Sequence, residues 1–569
     1  MEVNPRAFVV PGFTDADGVG YVAQGEGVLT VIESGEKRSY TVRQGDVIVA
    51  PAGSIMHLAN TDARRKLVIA KILHTISVPG RFQYFSAKPL LASLSKRVLR
   101  AALKKKLGTY IHGHGRERAD LRRAAGEAAR QAPRQGGGVQ VHLFGSIIRT
   151  DHGFVKALRP FDEVSRLLRG IRNYRVAIME VNPRAFVVPG LTDADGVGYV
   201  AQGEGVLTVI ENGEKRSYTV REGDVIVAPA GSIMHLANTD GRRKLIIAKI
   251  LHTISVPGMF QYFSAKPLLA SLSKRVLRAA LKTSDERLER LLDPRQGQEK
   301  TGGSMSIVRA SEEQLHELSR QASEGSQGHH WPLPPFRGDS RDTYNLLEQR
   351  PKIANRHGRL YEADARSFHA LAQHDVRVAV ANITPGSMTA PYLNTQSFKL
   401  AVVLEGEGEQ GKGRWSEEED DDQRQQRRRG SGSESESESE EQQDQQRYQT
   451  IRARVSRGSA FVVPPGHPVV EIASSQGSSN LQVVCFEINA ERNERVWLAG
   501  RNNVIGKLDN PAQELTFGRP AREVQEVFRA KDQQDEGFVA GPEQDQERGE
   551  RGRGDDAVGA FLRMATGAF

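Results

Sequence analysis

Gly223-Asp-Val-Ile-Val-Ala-Pro229-Ala-Gly231-Ser-Ile-Met-His235-Leu-Ala-Asn238 is the stretch whose reading decides the fold. Val225 to Ala228 is an apolar, largely β-branched run, and such side chains suit a pleated surface. Gly223 and Gly231 bracket it, and glycine turns the chain where φ must be positive. The reading is strand, tight turn, strand. Working outward, Gly198–Gln202, Gly205–Ile210 and Arg216–Val220 are further short runs of the same kind. Gly, Pro and the pair Asn212-Gly213 punctuate them at roughly 8–12-residue spacing, which predicts an antiparallel sandwich or barrel.

Beyond 264 the period changes. Leu268, Leu269, Leu272, Val276, Leu277 and Leu281 recur at helical spacing, with Pro267 in the first turn. Ser284 to Leu292 predicts a second, capped helix closed by Pro294. Upstream, Ile147–Leu158 predicts two strands around a turn at 151–153, and Phe161–Gly170 one or two helical turns.

The whole segment occurs twice. Residues 1–104 recur as 179–282 at an offset of 178, with six differences, among them Phe13/Leu191, Ser34/Asn212, Gln44/Glu222 and Arg81/Met259. The deciding stretch returns as Gly45, Pro51, Gly53, His57 and Asn60. Met1 aligns with Met179, which falls inside a predicted strand, 174–183. The first copy is therefore expected to be truncated on its N-terminal side, unable to close its own barrel and poorly stable alone. The apolar run before Pro11 is too short for a signal peptide; this too is read as a truncated start.

A third unit repeats the layout at low similarity. Candidate strands are 376–383, 397–404, 460–463, 469–472 and 480–488, followed by helical stretches at 511–515 and 521–529. Gly458-Ser-Ala-Phe-Val-Val-Pro464-Pro-Gly466-His467 parallels the deciding stretch. The expected division is 1–107, a truncated duplicate; 108–141, a disordered linker; 142–293, a complete barrel with helices; 294–343, a connector; 344–530, a second barrel with helices; and 531–569, a polar tail. An acidic insert at 410–447, containing Glu417–Asp422 and the Ser-Glu repeat 433–440, is expected to be disordered. Since the chain enters this insert soon after Val402–Glu409, one strand of the third unit reads as deleted, leaving an open sheet edge.

Composition sets the outer limits. The chain has 569 residues, one cysteine (Cys485) and a formal net charge of +9, with mean hydropathy −0.49. One cysteine excludes an internal disulfide framework and any multi-thiolate zinc site. No run of about 18 apolar residues is present, so no membrane-spanning helix is expected. Of 79 basic residues 21 are Lys and 58 Arg, and the Arg is mostly interleaved with Glu. With few aromatics and no nucleic-acid motif, mixed charge of this kind reads as a solvated surface rather than a nucleic-acid interface.

Gly223, Pro229, Gly231, His235 and Asn238 resemble the second sequence motif of the cupins. The order barrel, helices, barrel, helices with acidic linkers is similar to the vicilins, the 7S seed storage globulins. So are Arg149–Phe161, Phe263–Leu269, Asn502–Ile505 and Glu523–Phe528, and the wording is nearest to cereal embryo globulins of the wheat and maize type. The resemblance spans about 142–540 and the partial copy. It implies a mainly β bicupin fold, nutrient storage, homotrimers built through the helical appendages, and deposition in protein storage vacuoles.

The rival reading is a metal-dependent cupin of the oxalate oxidase or decarboxylase type. Such a site needs His-x-His and Glu from the first motif with the His of the second. Here the matching turns read Pro189-Gly-Leu-Thr-Asp193, Pro391-Tyr-Leu-Asn394 and Pro11-Gly-Phe-Thr14. One histidine per barrel gives too few ligands for a tight site. No catalytic residue, cofactor or metal is expected; His235 and His57 read as vestiges. Tyr392, His467 and Cys485 are a weak candidate copper set, which some vicilins suggest. A sugar-binding role is the remaining alternative. Asn382 begins the one clear glycosylation sequon, but it lies in a predicted strand and is expected to be unoccupied.

Overall fold

The structure is a computed structural model that describes residues 1–33, 36–76, 80, 82–92, 94, 96–103, 144–292, 307–325, 343–415, 448–528 and 535–542. The expected linker 108–141 and insert residues 416–447 lie outside them.

The second copy is a two-sheet antiparallel β unit. One sheet runs Gly145–Thr150, Gly153–Ala157, Tyr174–Val181, Leu245–Thr253, Ala194–Gln202, Asp224–Ala228 and Thr343–Asn345. The other runs Glu214–Arg221, Glu204–Glu211, Ile233–Asn238, Ala185–Thr192 and Tyr262–Ser264. Val155, Met179 and Ile247 of the first meet Val187, Leu207 and Leu236 of the second in the core between them. Asn212 (φ 53°) and Gly213 (φ 83°) are both left-handed, the requirement of a two-residue hairpin turn matched to strand twist. Phe161–Glu163 and Arg166–Ile171 are 3-10 turns.

The helix predicted over 268–281 divides. Copy one carries α1 (Ala87–Ala92) and α2 (Lys96–Leu103); copy two carries α3 (Ala265–Ala270), α4 (Lys274–Leu281) and α5 (Asp285–Leu292). The Ser273 hydroxyl accepts from the Val276 N–H at 3.3 Å and starts a new helix there.

Three expectations need correction. The described residues 307–325 of the connector 294–343 belong to the second unit: Ile307–Arg309 pairs with Ala185–Thr192, and α6 (Glu312–Gly325) lays Leu315 on Ala237. Ser311 and Gln314 cap α6 reciprocally, at 3.2 and 2.9 Å. The tail after 531 supplies a strand, Phe538–Ala540, which pairs with Ser387–Thr389 of the third unit. Nor is a strand missing after 402. Glu407–Trp415 forms nine pairs with Tyr448–Ser456 on one side and five with Val469–Ala473 on the other, so this strand has no open edge and the expected acidic insert starts only after it. Its Gly- and Glu-rich sequence hides it, because pairing rather than intrinsic propensity holds it in place.

The third unit has the same two-sheet plan. One sheet runs Ile353–Asn355, Gly358–Ala363, Val376–Ile383, Leu481–Ile488, Phe398–Glu405 and Ala460–Val463. Helices α7 (Asn510–Phe517) and α8 (Ala521–Phe528) follow, and Gly518 at φ 63° ends α7. The sheets of the second copy and the third unit pack together through Val176, Val197, Tyr199 and Ile250 on one side and Val378, Phe398, Leu400 and Phe486 on the other.

In copy one the counterpart of Tyr174–Val181 is only Glu2–Val3, paired with Val68 and Leu67. With that short strand included, copy one forms a four-stranded and a five-stranded sheet around Val22, Leu29, Leu58 and Leu67. The larger burial lies elsewhere: twelve of its residues, among them Phe85, Leu90, Leu94 and Leu103, share one core with sixteen of the third unit, including Leu393, Leu498, Leu508 and Val524.

Candidate functional site

Each motif stretch is placed as its sequence predicts. Gly223 (φ 95°) and Gly231 (φ 79°) turn the chain at the two ends of Asp224–Ala228. Asn238 closes the motif: its side-chain N–H groups donate to the carbonyls of Val181, Asn182 and Arg243 at 2.9–3.0 Å. Asn60 repeats this with Val3, Asn4 and Arg65. Gly45, Gly53, Gly458 and Gly466 all have positive φ, and Pro51, Pro229 and Pro464 follow the strands Val47–Ala50, Asp224–Ala228 and Ala460–Val463. The motif residues thus act as turns and clamps.

His235 tilts against Phe186 at 5.3 Å, and its Nδ1 is buried with no hydrogen bond among the described residues. Burial, helped by Lys215, holds its pKa below the ordinary value, so it stays neutral at pH 7. His57 repeats the stack on Phe8; burial lowers its pKa while Asp509, 3.7 Å away, opposes that. In the turn that carries metal ligands in enzymatic cupins, the Thr192 hydroxyl donates to the Ala194 carbonyl and Asp193 accepts from the Gln261 N–H at 2.6 Å. Among the described residues no group of three or more His, Cys, Asp or Glu could hold a metal.

Inside the barrel of copy two is a cavity of about 80 Å3, lined by Thr192, Gly196, His235, Lys249 and Tyr262 among apolar groups. Burial pushes the Lys249 ammonium down to about 8. The third barrel holds a closed charge network instead. The Lys399 ammonium donates to the Tyr392 hydroxyl and to Glu471. Glu471 also accepts from Thr389 at 2.9 Å. Arg495 joins Glu487 and Glu362, both at 2.7 Å, and Arg377 reaches Glu487 at 3.2 Å.

The candidate copper set meets this network. Tyr392 and Cys485 both lie beside Lys399, whose ammonium disfavours a second cation. Burial pushes the Cys485 thiol up to about 11, so the free side chain is a neutral thiol at pH 7. His467 is engaged elsewhere: its Nδ1 is 2.9 Å from the Pro465 carbonyl and its ring stands edge-on to Phe85 of copy one. Asn382 lies within the strand Val376–Ile383, and its side-chain oxygen accepts from Asn480 at 2.7 Å. Sequence reasoning missed Lys249, Lys399, Glu471, Glu487 and Arg495. The available signal was a charge inside an apolar strand, as in Leu245-Ile-Ile-Ala-Lys249-Ile-Leu.

Comparison with known proteins agrees with this geometry. The cupin family profile matches residues 1–104, 167–288 and 344–523. The chain is 55% identical over 460 residues to the 63 kDa globulin-like protein of Oryza sativa subsp. japonica, covering 75% of this chain and 80% of that one. It is 57% identical over 410 residues to the Globulin-1 S allele of Zea mays, covering 70% of each. The crystal structure of vicilin from Corylus avellana superimposes with a TM-score of 0.58 at 37% identity, covering 71% of this chain and all of that one. The chain belongs to the cupin family and, within it, to the vicilin-like 7S seed storage globulins.

Proposed function

We propose that this storage globulin is catalytically silent, a nitrogen reservoir whose barrels serve packing rather than chemistry. The observation that carries the reading is the filling of the third barrel. Where an enzymatic cupin presents an open metal position, Lys399 bonds Tyr392 and Glu471, and Arg495 bonds Glu487. In the second barrel a single histidine faces a lysine. The 79 basic residues, 58 of them Arg by the count above, supply dense side-chain nitrogen. Supplying Mn(II) to the full chain, then measuring bound metal and oxalate turnover, tests this. The reading expects neither; stoichiometric metal with turnover would defeat it.

The same reading covers assembly and location. Helices α3 and α4 present an apolar face, Leu268, Leu269, Leu272, Val276 and Leu281, the surface through which self-association toward a homotrimer would run wherever its docking face is free. Deposition in protein storage vacuoles follows from kinship with storage globulins. The chain divides into the partial barrel 1–107, the barrel 142–293 extended by 307–325 and 343–345, and the barrel 353–530 completed by 535–542.

A further inference from the structure

The two copies meet the third unit on opposite sides. Copy two uses its sheet: Val197, Tyr199 and Ile250 are buried there. Copy one uses its helical side: α1 packs on α7 and on Tyr448–Ser456, and α2 packs on Phe538–Ala540. The seat is specific. Arg97 pairs with Glu409 at 2.5 Å, and Lys37 with Asp509. A Cβ on Gly53 would lie 1.9 Å from Thr395, and one on Gly466 would lie 2.6 Å from the Phe85 ring. The backbones therefore approach more closely than any side chain would permit.

Apart from Phe13, which becomes Leu191, the residues that make this seat are present again in copy two. Leu90, Leu94 and Val98 become Leu268, Leu272 and Val276; Arg97 becomes Arg275; Phe85 becomes Phe263. There the leucines and the valine are exposed, Leu272 at 49% against 4% for Leu94. Copy two cannot take the seat in its own chain, because its sheet already holds the other side of the third unit.

The fit of copy one is also incomplete. A groove of about 770 Å3 remains between it and α7, lined by Phe8, Val28, His57, Asp509 and Leu515. On copy two α6 covers the matching surface around Phe186. A second copy of this chain, docking through α3 and α4 with α6 in place, would fill what copy one leaves open.

The geometry points to copy one as an intramolecular cap: it occupies the face of the third unit on which α3 and α4 of a second copy of this chain would dock, and it keeps the intact chain monomeric. This rests on the reading of α3 and α4 as the self-association face, and the test separates the two. Sedimentation of the intact chain gives one species at 62.7 kDa. Leu90→Glu with Leu94→Glu opens the seat, and the mass rises roughly threefold as a closed ring forms. Adding Leu268→Glu and Leu272→Glu returns the monomer. An oligomeric wild type, or a folded double variant that stays monomeric, overturns the cap; a quadruple variant that still associates overturns the self-association reading. Should the double variant fail to fold, Arg97→Glu replaces it, with association expected and reversed by Glu409→Arg; no association then also overturns the cap.

Discussion

Copies one and two are nearly the same sequence, yet they bury opposite faces. Ile72 is 78% exposed while its twin Ile250 is 2% exposed; Leu103 is 2% exposed while its twin Leu281 is 52% exposed. Fold is local to the repeat, since the strand pairs that both copies share keep the same register. Burial is not. The third unit has two docking faces: copy two holds the sheet face and copy one the helical face. Each copy is left with one apolar surface uncovered, which makes the sheet of copy one, with Val47, Val49 and Ile72 outward, an association hazard.

Matched substitutions turn this comparison into numbers. The largest contrast is expected at the helical seat. Phe85 stacks on Phe13 at 4.9 Å and is fully buried, so Phe85→Ala should cost about 4 kcal/mol in urea unfolding, and Phe263→Ala clearly less. A Phe263 variant as costly as the Phe85 variant would break the asymmetry. At the sheet face the order reverses. Ile250→Ala should lose about 3 kcal/mol and Ile72→Ala under about 0.5, while Ile72→Lys should raise the solubility limit.

Lys249 gives a pH test. Its folded-state pKa, about 8, lies below the ordinary 10.5, so the unfolded chain binds more protons between these values and stability rises with pH across that window. Lys249→Met should therefore stabilise by about 2–3 kcal/mol at pH 7, and its advantage over the wild type should fade between pH 8 and 10.5. A flat difference across this window would show that the ammonium is solvated. The smallest contrast concerns the motif glycines. Gly231→Ala meets only the strain of positive φ, about 1 kcal/mol, because no atom lies within 4 Å of its Cβ. Gly53→Ala adds the collision with Thr395 and should cost at least about 1 kcal/mol more, by differential scanning calorimetry.

Much of this was legible in the chain. β-Branched runs between glycines located Val376–Ile383 and Ala460–Val463 to the residue, and Asn212-Gly213 announced its hairpin. The motif residues held their predicted places because their work is local. Glu407–Trp415 was hidden because its side chains are polar and its hydrogen-bond partners lie on either side in space. Ile307–Arg309 and Phe538–Ala540 are three-residue strands added to distant sheets, too short to show a period. The charge network of the third barrel joins residues up to 133 positions apart, and no spacing rule reaches that far. Which face of a repeat is buried cannot be read from the repeat, because both copies spell the same surface.

Thiol labelling tests that asymmetry most directly. Cys485 is buried with a raised pKa and gives a silent background. Cysteine is placed singly at Leu94, Leu272, Ile72 and Ile250 in the full chain, and the rate of reaction with a maleimide is measured. The account predicts a crossed pattern: fast at Leu272→Cys and Ile72→Cys, slow at Leu94→Cys and Ile250→Cys. Equal rates within either pair of twins would contradict it.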